Sequence, residues 1–255
     1  MLRACAVIVL LLFVAGALWA GPVISSKAKA KPTQIKPEPV PVEEFSPPAP
    51  SILGPTGVIL TPNAQTVGDC RWNVGYHFWQ SKDGSTDINT VKANVGLGPN
   101  AEVGAAYFNY DYPSAYTYPY YPYNSYDDSE TIWSFKYRFW NETETDPGVA
   151  AGVIDVGDQI DLTAYLLVSK TFMRHSSLPI SLTVGWGSGS SEMHHFFGSG
   201  VFHVLPTLDV LTELDHRDFN YGLRWWPWKN VNVDVGALST KKAQVYGGIA
   251  YTGHF

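Results

Sequence analysis

From Arg71 onward the chain repeats one pattern: segments of about ten residues in which apolar and polar side chains alternate strictly. Trp72, Val74, Tyr76 and Phe78 share one parity, and Asn73, Gly75 and His77 take the other. Val91, Ala93, Val95 and Leu97 alternate with Thr90, Lys92, Asn94 and Gly96; Val103, Ala105 and Tyr107 with Glu102, Gly104 and Ala106. The same holds for Trp133–Phe139, Leu162–Val168, Ile180–Trp186 and Val231–Val235. Weaker strands fall at 148–156, 197–204, 208–214, 219–225 and 243–255. A period of two is a strand period, with one face dry and one wet. A secreted β-sandwich also alternates, but its wet face would not be expected to carry so many Gly, Lys, Arg and Asp residues. The pattern predicts an all-β fold, a transmembrane antiparallel up-and-down β-barrel of about twelve strands.

The connections support that count. Every second one contains a proline, at Pro99, Pro147, Pro179, Pro206 and Pro227, which suits short turns where a ladder stops. The others are polar: 81–87, the Tyr-rich stretch 111–129, 189–195 and 215–218. An even count brings both chain ends to the periplasmic side. Charged residues are only 16% of the chain, which fits a wall facing lipid. The net charge of −6 and the lack of a basic cluster in the barrel region argue against a nucleic-acid partner.

Residues 1–20 read as a secretory signal, with Arg3 before the apolar run Ala6–Val14 and cleavage after Ala17 or Ala20. Residues 21–50 form a Lys- and Pro-rich linker that cannot bury a core and is expected to be disordered. Residues 51–70 are a lead-in segment that either adds a strand or sits as a plug, and 71–255 are the barrel. Cys5 lies in the leader, so a mature chain carries Cys70 alone and no internal disulfide. The chain ends with Tyr251 and Phe255 on one parity, which resembles the C-terminal signal that the barrel-assembly machinery reads in bacterial outer-membrane proteins.

Two stretches resemble a narrower family. Gly54-Pro55-Thr56-Gly57-Val58-Ile59-Leu60-Thr61-Pro62-Asn63-Ala64 is similar to the lead-in motif of YjbH-like outer-membrane proteins. Pro206–Arg224 resembles a strand–loop–strand of the same barrels. The resemblance implies an outer-membrane location and a role in exopolysaccharide production or export, and it implies no reaction.

Nine charged residues have inward parity: Lys92, Glu102, Lys136, Arg138, Asp161, Asp209, Glu213, Arg224 and Asp234. In a soluble core they would be ruinous; in a lumen they can pair with one another or line a narrow polar path. With both signs present, a closed or weakly conducting barrel is expected. Tyr110, Tyr112, Tyr116, Tyr118, Tyr120, Tyr121, Tyr123 and Tyr126 form a candidate surface loop for a polysaccharide or an envelope protein. Trp225, Trp226 and Trp228 are expected in the periplasmic aromatic belt. No metal or cofactor site is expected: His194 and His195 lack a third ligand at a recognisable spacing. No enzyme is expected either, because no GxSxG or zincin motif occurs and Asp215–His216 lacks the motifs of a barrel protease. The leading expectation is therefore a non-enzymatic barrel for envelope or exopolysaccharide work. Its alternatives are a secreted all-β binding module and a narrow diffusion channel.

Overall fold

The computed structural model describes residues 47–80, 87–111, 128–189, 193–215, 218–238 and 244–255. The expected leader and residues 21–46 of the expected linker lie outside them, as do Tyr112, Tyr116, Tyr118, Tyr120, Tyr121, Tyr123 and Tyr126; the last residues assigned to the linker, 48–50, are buried instead, as part of the segment that follows. Twelve antiparallel strands close on themselves. In chain order they are β1 (Arg71–Gln80), β2 (Asp87–Gly96), β3 (Ala101–Asp111), β4 (Asp128–Trp140), β5 (Gly148–Ile154) and β6 (Thr163–Phe172). Then follow β7 (Ile180–Ser188), β8 (His194–Leu205), β9 (Leu208–Asp215), β10 (Asp218–Trp228), β11 (Val231–Leu238) and β12 (Gln244–His254). Each strand pairs with its sequence neighbour, and β1 closes the ring on β12 from Arg71↔His254 to Trp79↔Tyr246. A closed ring has no free edge, so every strand has hydrogen-bonding neighbours on both sides, as a spanning sheet requires.

The outer face is that of a membrane protein. Val91, Leu166, Val168, Leu182, Val184, Leu223, Val235 and Ile249 point outward and are exposed. Exposed aromatic side chains flank this aliphatic band: Phe196, Phe219 and Tyr221 toward the loop-bearing ends of their strands, and Trp140, Trp225, Trp228, Tyr251 and Phe255 toward the turn-bearing ends. Two aromatic girdles around an aliphatic band are what two lipid–water interfaces select. A soluble binding module does not survive this: its apolar residues would face water while its charges filled the core. Lysine at Val91 or Leu166, which are 56% and 53% exposed to the exterior, should cost about 2–4 kcal/mol near the midplane. Folding titrations into lipid vesicles measure that cost. Cysteine at the same sites should resist water-soluble maleimide in membranes, and rapid labelling would mean that this face is wet.

Three details differ from the sequence reading. Pro227 is inside β10 rather than in the turn, at an irregularity between Trp225 and Trp228. Trp226 therefore does not join the belt; it turns into the lumen, 5% exposed, while Trp225 and Trp228 are exposed. Strand β5 alternates weakly because both of its faces are apolar, and β6, read as apolar on its outer face, is also apolar inward at Tyr165 and Leu167. Ala150, Ile154, Tyr165 and Leu167 join Ala106, Phe108, Ile132, Met193 and Phe197 in a core inside the barrel. The lumen is thus part polar network and part packed core.

Candidate functional site

The interior is filled by the chain's own lead-in segment. Residues 48–67 are almost wholly buried, apart from the half-buried Leu53, Asn63 and Gln65. The segment folds on itself through Ser51 N–H to Pro55 O (2.8 Å), Ile52 N–H to Ile59 O (2.7 Å) and Val58 N–H to Thr61 O (3.0 Å). Gly57 is required at the crossing: a Cβ there would overlap the Thr61 carbonyl oxygen and stand 2.9 Å from Pro62 Cα. Ile52, Val58, Ile59 and Leu60 pack on Leu211, Leu238 and Tyr246 of the wall, and Ala64 packs in the second apolar cluster.

A compact loop of this kind leaves backbone groups unpaired, and the inward charges satisfy them. Glu213 accepts from Ile59 N (3.1 Å), Leu60 N (3.0 Å), Thr61 N (2.9 Å) and Thr61 Oγ1 (2.7 Å). Glu102 accepts from Thr56 N (2.8 Å), Thr56 Oγ1 (2.6 Å) and Val67 N (3.0 Å), and pairs with Lys136 Nζ at 3.0 Å. Lys136 also donates to Thr56 O at 2.8 Å, Asn94 Nδ2 to Gly54 O at 2.7 Å, and Lys92 Nζ to Ser51 O. Arg224 forms a two-pronged pair with Asp234 (2.9 Å for each prong) and donates to Val58 O (2.7 Å) and Gly57 O (3.3 Å). Buried charges are tolerated when they are paired and their remaining hydrogen-bonding positions are filled, and here a peptide fills them.

Seven of the nine residues singled out by parity stand buried in the lumen: Lys92, Glu102, Lys136, Asp209, Glu213, Arg224 and Asp234. The other two do not. Arg138 is half-buried at the turn-bearing mouth, where Nη2 donates to Pro99 O at 2.9 Å. Asp161 precedes β6, in the loop whose backbone Asp155 organises by accepting from Gln159, Ile160 and Asp161 N–H groups. Tyr110 is half-buried and its hydroxyl donates to Glu130 (3.3 Å), so it belongs to the wall. Tyr251 and Phe255 face outward at the chain-terminal end, Phe255 being 81% exposed.

A cavity of about 840 Å³ opens beneath the plug at the mouth that carries the short turns and both ends of the barrel; Arg71, Glu142, Thr171, Ser181, His203 and Trp226 are in its wall. Sequence reasoning did not single out Ser181 or His203. Their side chains form a chain of contacts across β7, β8, β9 and β10. Ser181 Oγ lies 3.1 Å from His203 Nε2, and His203 Nδ1 lies 2.8 Å from Asp209 Oδ1. The other carboxylate oxygen, Asp209 Oδ2, accepts from Trp226 Nε1 at 3.1 Å. No linear motif could reveal this cluster, because each member is an inward residue of a different strand.

No family model matches the chain, and no curated protein matches it. Solved structures do. A KdgM porin aligns with 71% of this chain and 99% of its own length at 12% identity, with a TM-score of 0.50. A KdgM porin in complex with disordered oligogalacturonate covers the same shares at 11% identity and a TM-score of 0.47. Outer membrane protein Omp33 of Acinetobacter baumannii covers 73% of this chain and 99% of itself at 10% identity, with a TM-score of 0.42. At these identities the likeness is one of fold. With the girdled apolar exterior and the closed ring, the protein is an outer-membrane β-barrel.

Proposed function

We propose that this barrel serves cell-envelope or exopolysaccharide production, with its lumen closed at rest by residues 48–67. One observation supports the reading most: the two stretches that resemble YjbH-like proteins are in contact with each other. Glu213 and Arg224, in the second stretch, grip the backbone from Gly57 to Thr61 in the first, more than 150 positions away in sequence. The resemblance therefore falls on one structural unit, a strand–loop–strand clamp and the plug it holds, rather than on two unrelated fragments. The outward Tyr251 and Phe255 are the residues proposed to meet the barrel-assembly machinery. Deleting the gene and staining surface polysaccharide tests the role: altered staining, restored by the intact gene, is expected. Unchanged polysaccharide amount and surface display would overturn it.

A narrow diffusion channel is the second reading. The mouth cavity favours it, since solute from the periplasmic side reaches a chamber already lined by polar groups. Under that reading the plug has to move before solute passes.

A further inference from the structure

We infer that Ser181, His203 and Asp209 form a hydrolytic relay in the mouth cavity, and that its substrate class is a small carboxylic ester of the O-acyl saccharide kind. The inference departs from the sequence-based expectation of no catalytic residues, and it does not rest on the proposed polysaccharide role.

Direction comes first. A carboxylate only accepts hydrogen bonds. Asp209 accepts from Trp226 Nε1 on one oxygen and faces His203 Nδ1 on the other. His203 Nδ1 is therefore the donor, and the neutral ring presents Nε2 as a bare acceptor. That acceptor stands 3.1 Å from Ser181 Oγ, within reach of the proton a nucleophilic serine must lose. Nucleophile, base and orienting carboxylate are thus in the order acyl transfer needs, which is recognised by geometry rather than by sequence position. The strands hold this order rigidly. His203 and Asp209 are direct cross-strand partners of β8 and β9, and Ser181 is the direct partner of Thr171 across β6 and β7.

The surroundings fit a reacting centre. Ser181 and His203 line the cavity, so a substrate entering from the mouth meets them. Thr171 Oγ1 lies 2.9 Å from Ser181 Oγ and donates to Glu142 Oε2 at 3.3 Å, so this hydroxyl is held beside the reacting oxygen. Arg174 lines the same cavity as one half of an ion pair, its Nη2 donating to Glu142 Oε1 at 2.7 Å. Such a site suits an ester, whose alkoxide leaves more readily than an amine. Trp226 adds aromatic surface to the wall and Gln65 and Asn141 add amides, a mixture matched to a sugar with an apolar face and hydroxyl edges.

The reaction balances without a cofactor. Ser181 Oγ bonds to the acyl carbon while its proton passes to His203 Nε2. The ester C–O bond breaks, and the alcohol leaves with that proton. Water then attacks the acyl carbon, giving one proton to Nε2. Ser181 Oγ leaves and recovers it, so ester and water become carboxylic acid and alcohol.

The test uses the full-length chain folded in detergent, with a fluorophosphonate probe and p-nitrophenyl acetate. Wild-type protein should be labelled, with the adduct mapped by mass spectrometry to Ser181. Ser181→Ala and His203→Ala should lose the label and lower ester turnover by about 10²–10⁴-fold. Asp209→Asn, which reverses the imidazole tautomer, should lower kcat with little change in KM, as befits a positioning residue. Folded protein is identified by its faster migration when unboiled. Folded wild type that takes no label at Ser181 would overturn the assignment without requiring any variant to fold. Turnover by folded Ser181→Ala equal to wild type would overturn it as well.

Discussion

Removing residues 47–67 should convert a silent barrel into a conducting one. The intact chain is expected to show no stable steps in a planar bilayer, and the deletion variant to show discrete, ohmic openings. The segment packs on the inner wall through Ile52, Val58, Ile59 and Leu60, so its loss empties the space those side chains fill. The wall itself should persist, because ring closure resides in strand pairs that do not include the plug. Water would replace peptide around Lys92, Lys136 and Arg224 and around Glu102 and Glu213. With both signs present, the opened lumen should be only weakly selective between small cations and anions. A folded deletion variant that stayed silent would mean that the packed wall cluster around Phe108 and Leu167, and not the plug, is the seal.

The second large effect is expected at Arg224. Arg224→Met leaves Asp234 buried without its two-pronged partner and strips donors from the Gly57 and Val58 carbonyls. Breaking a buried pair by removing one member costs about 3–5 kcal/mol. The unboiled, fast-migrating form should therefore be lost at a clearly lower temperature. Removing both members is far cheaper than removing one, so Arg224→Met with Asp234→Leu should recover much of the loss. Arg138→Gln should change stability by about 1 kcal/mol or less, since that side chain is half-buried at the mouth. A double variant less stable than Arg224→Met alone would contradict the pairing argument.

The alternation was enough to specify a barrel, because a period of two along spanning segments has few other solutions once one face is apolar and the other charged. Parity also placed seven of nine charges inside. It failed at Asp161 because the strand begins later, at Thr163. It erred at Trp226 because Pro227 was read as the turn itself, while the strand runs on to Trp228.

What the charges do inside was beyond the sequence, and two register shifts show why. Carried straight back from Leu205↔Leu208, the β8–β9 register would set His203 against Val210; an irregularity between His203 and Leu205 sets it against Asp209 instead. Carried back from Trp228↔Val231, β10–β11 would set Arg224 against Val235; the irregularity at Trp225–Trp228 delivers it to Asp234. A one-residue slip decides whether a buried charge meets its partner or an aliphatic side chain, and alternation carries no record of it. The lead-in segment is the same case at longer range. Its Thr-Gly and Thr-Pro pairs announce a tight fold, but Glu213 and Glu102 reach it only because ring closure brings distant strands around one axis. Away from strand ends and irregularities, where Asp161, Arg138 and Trp226 lie, the sequence by itself determined which residues face lipid and which face inward, since that needs only the pleat of a strand. Which inward residues touch was decided by register, bulges and closure, which are properties of the assembled wall.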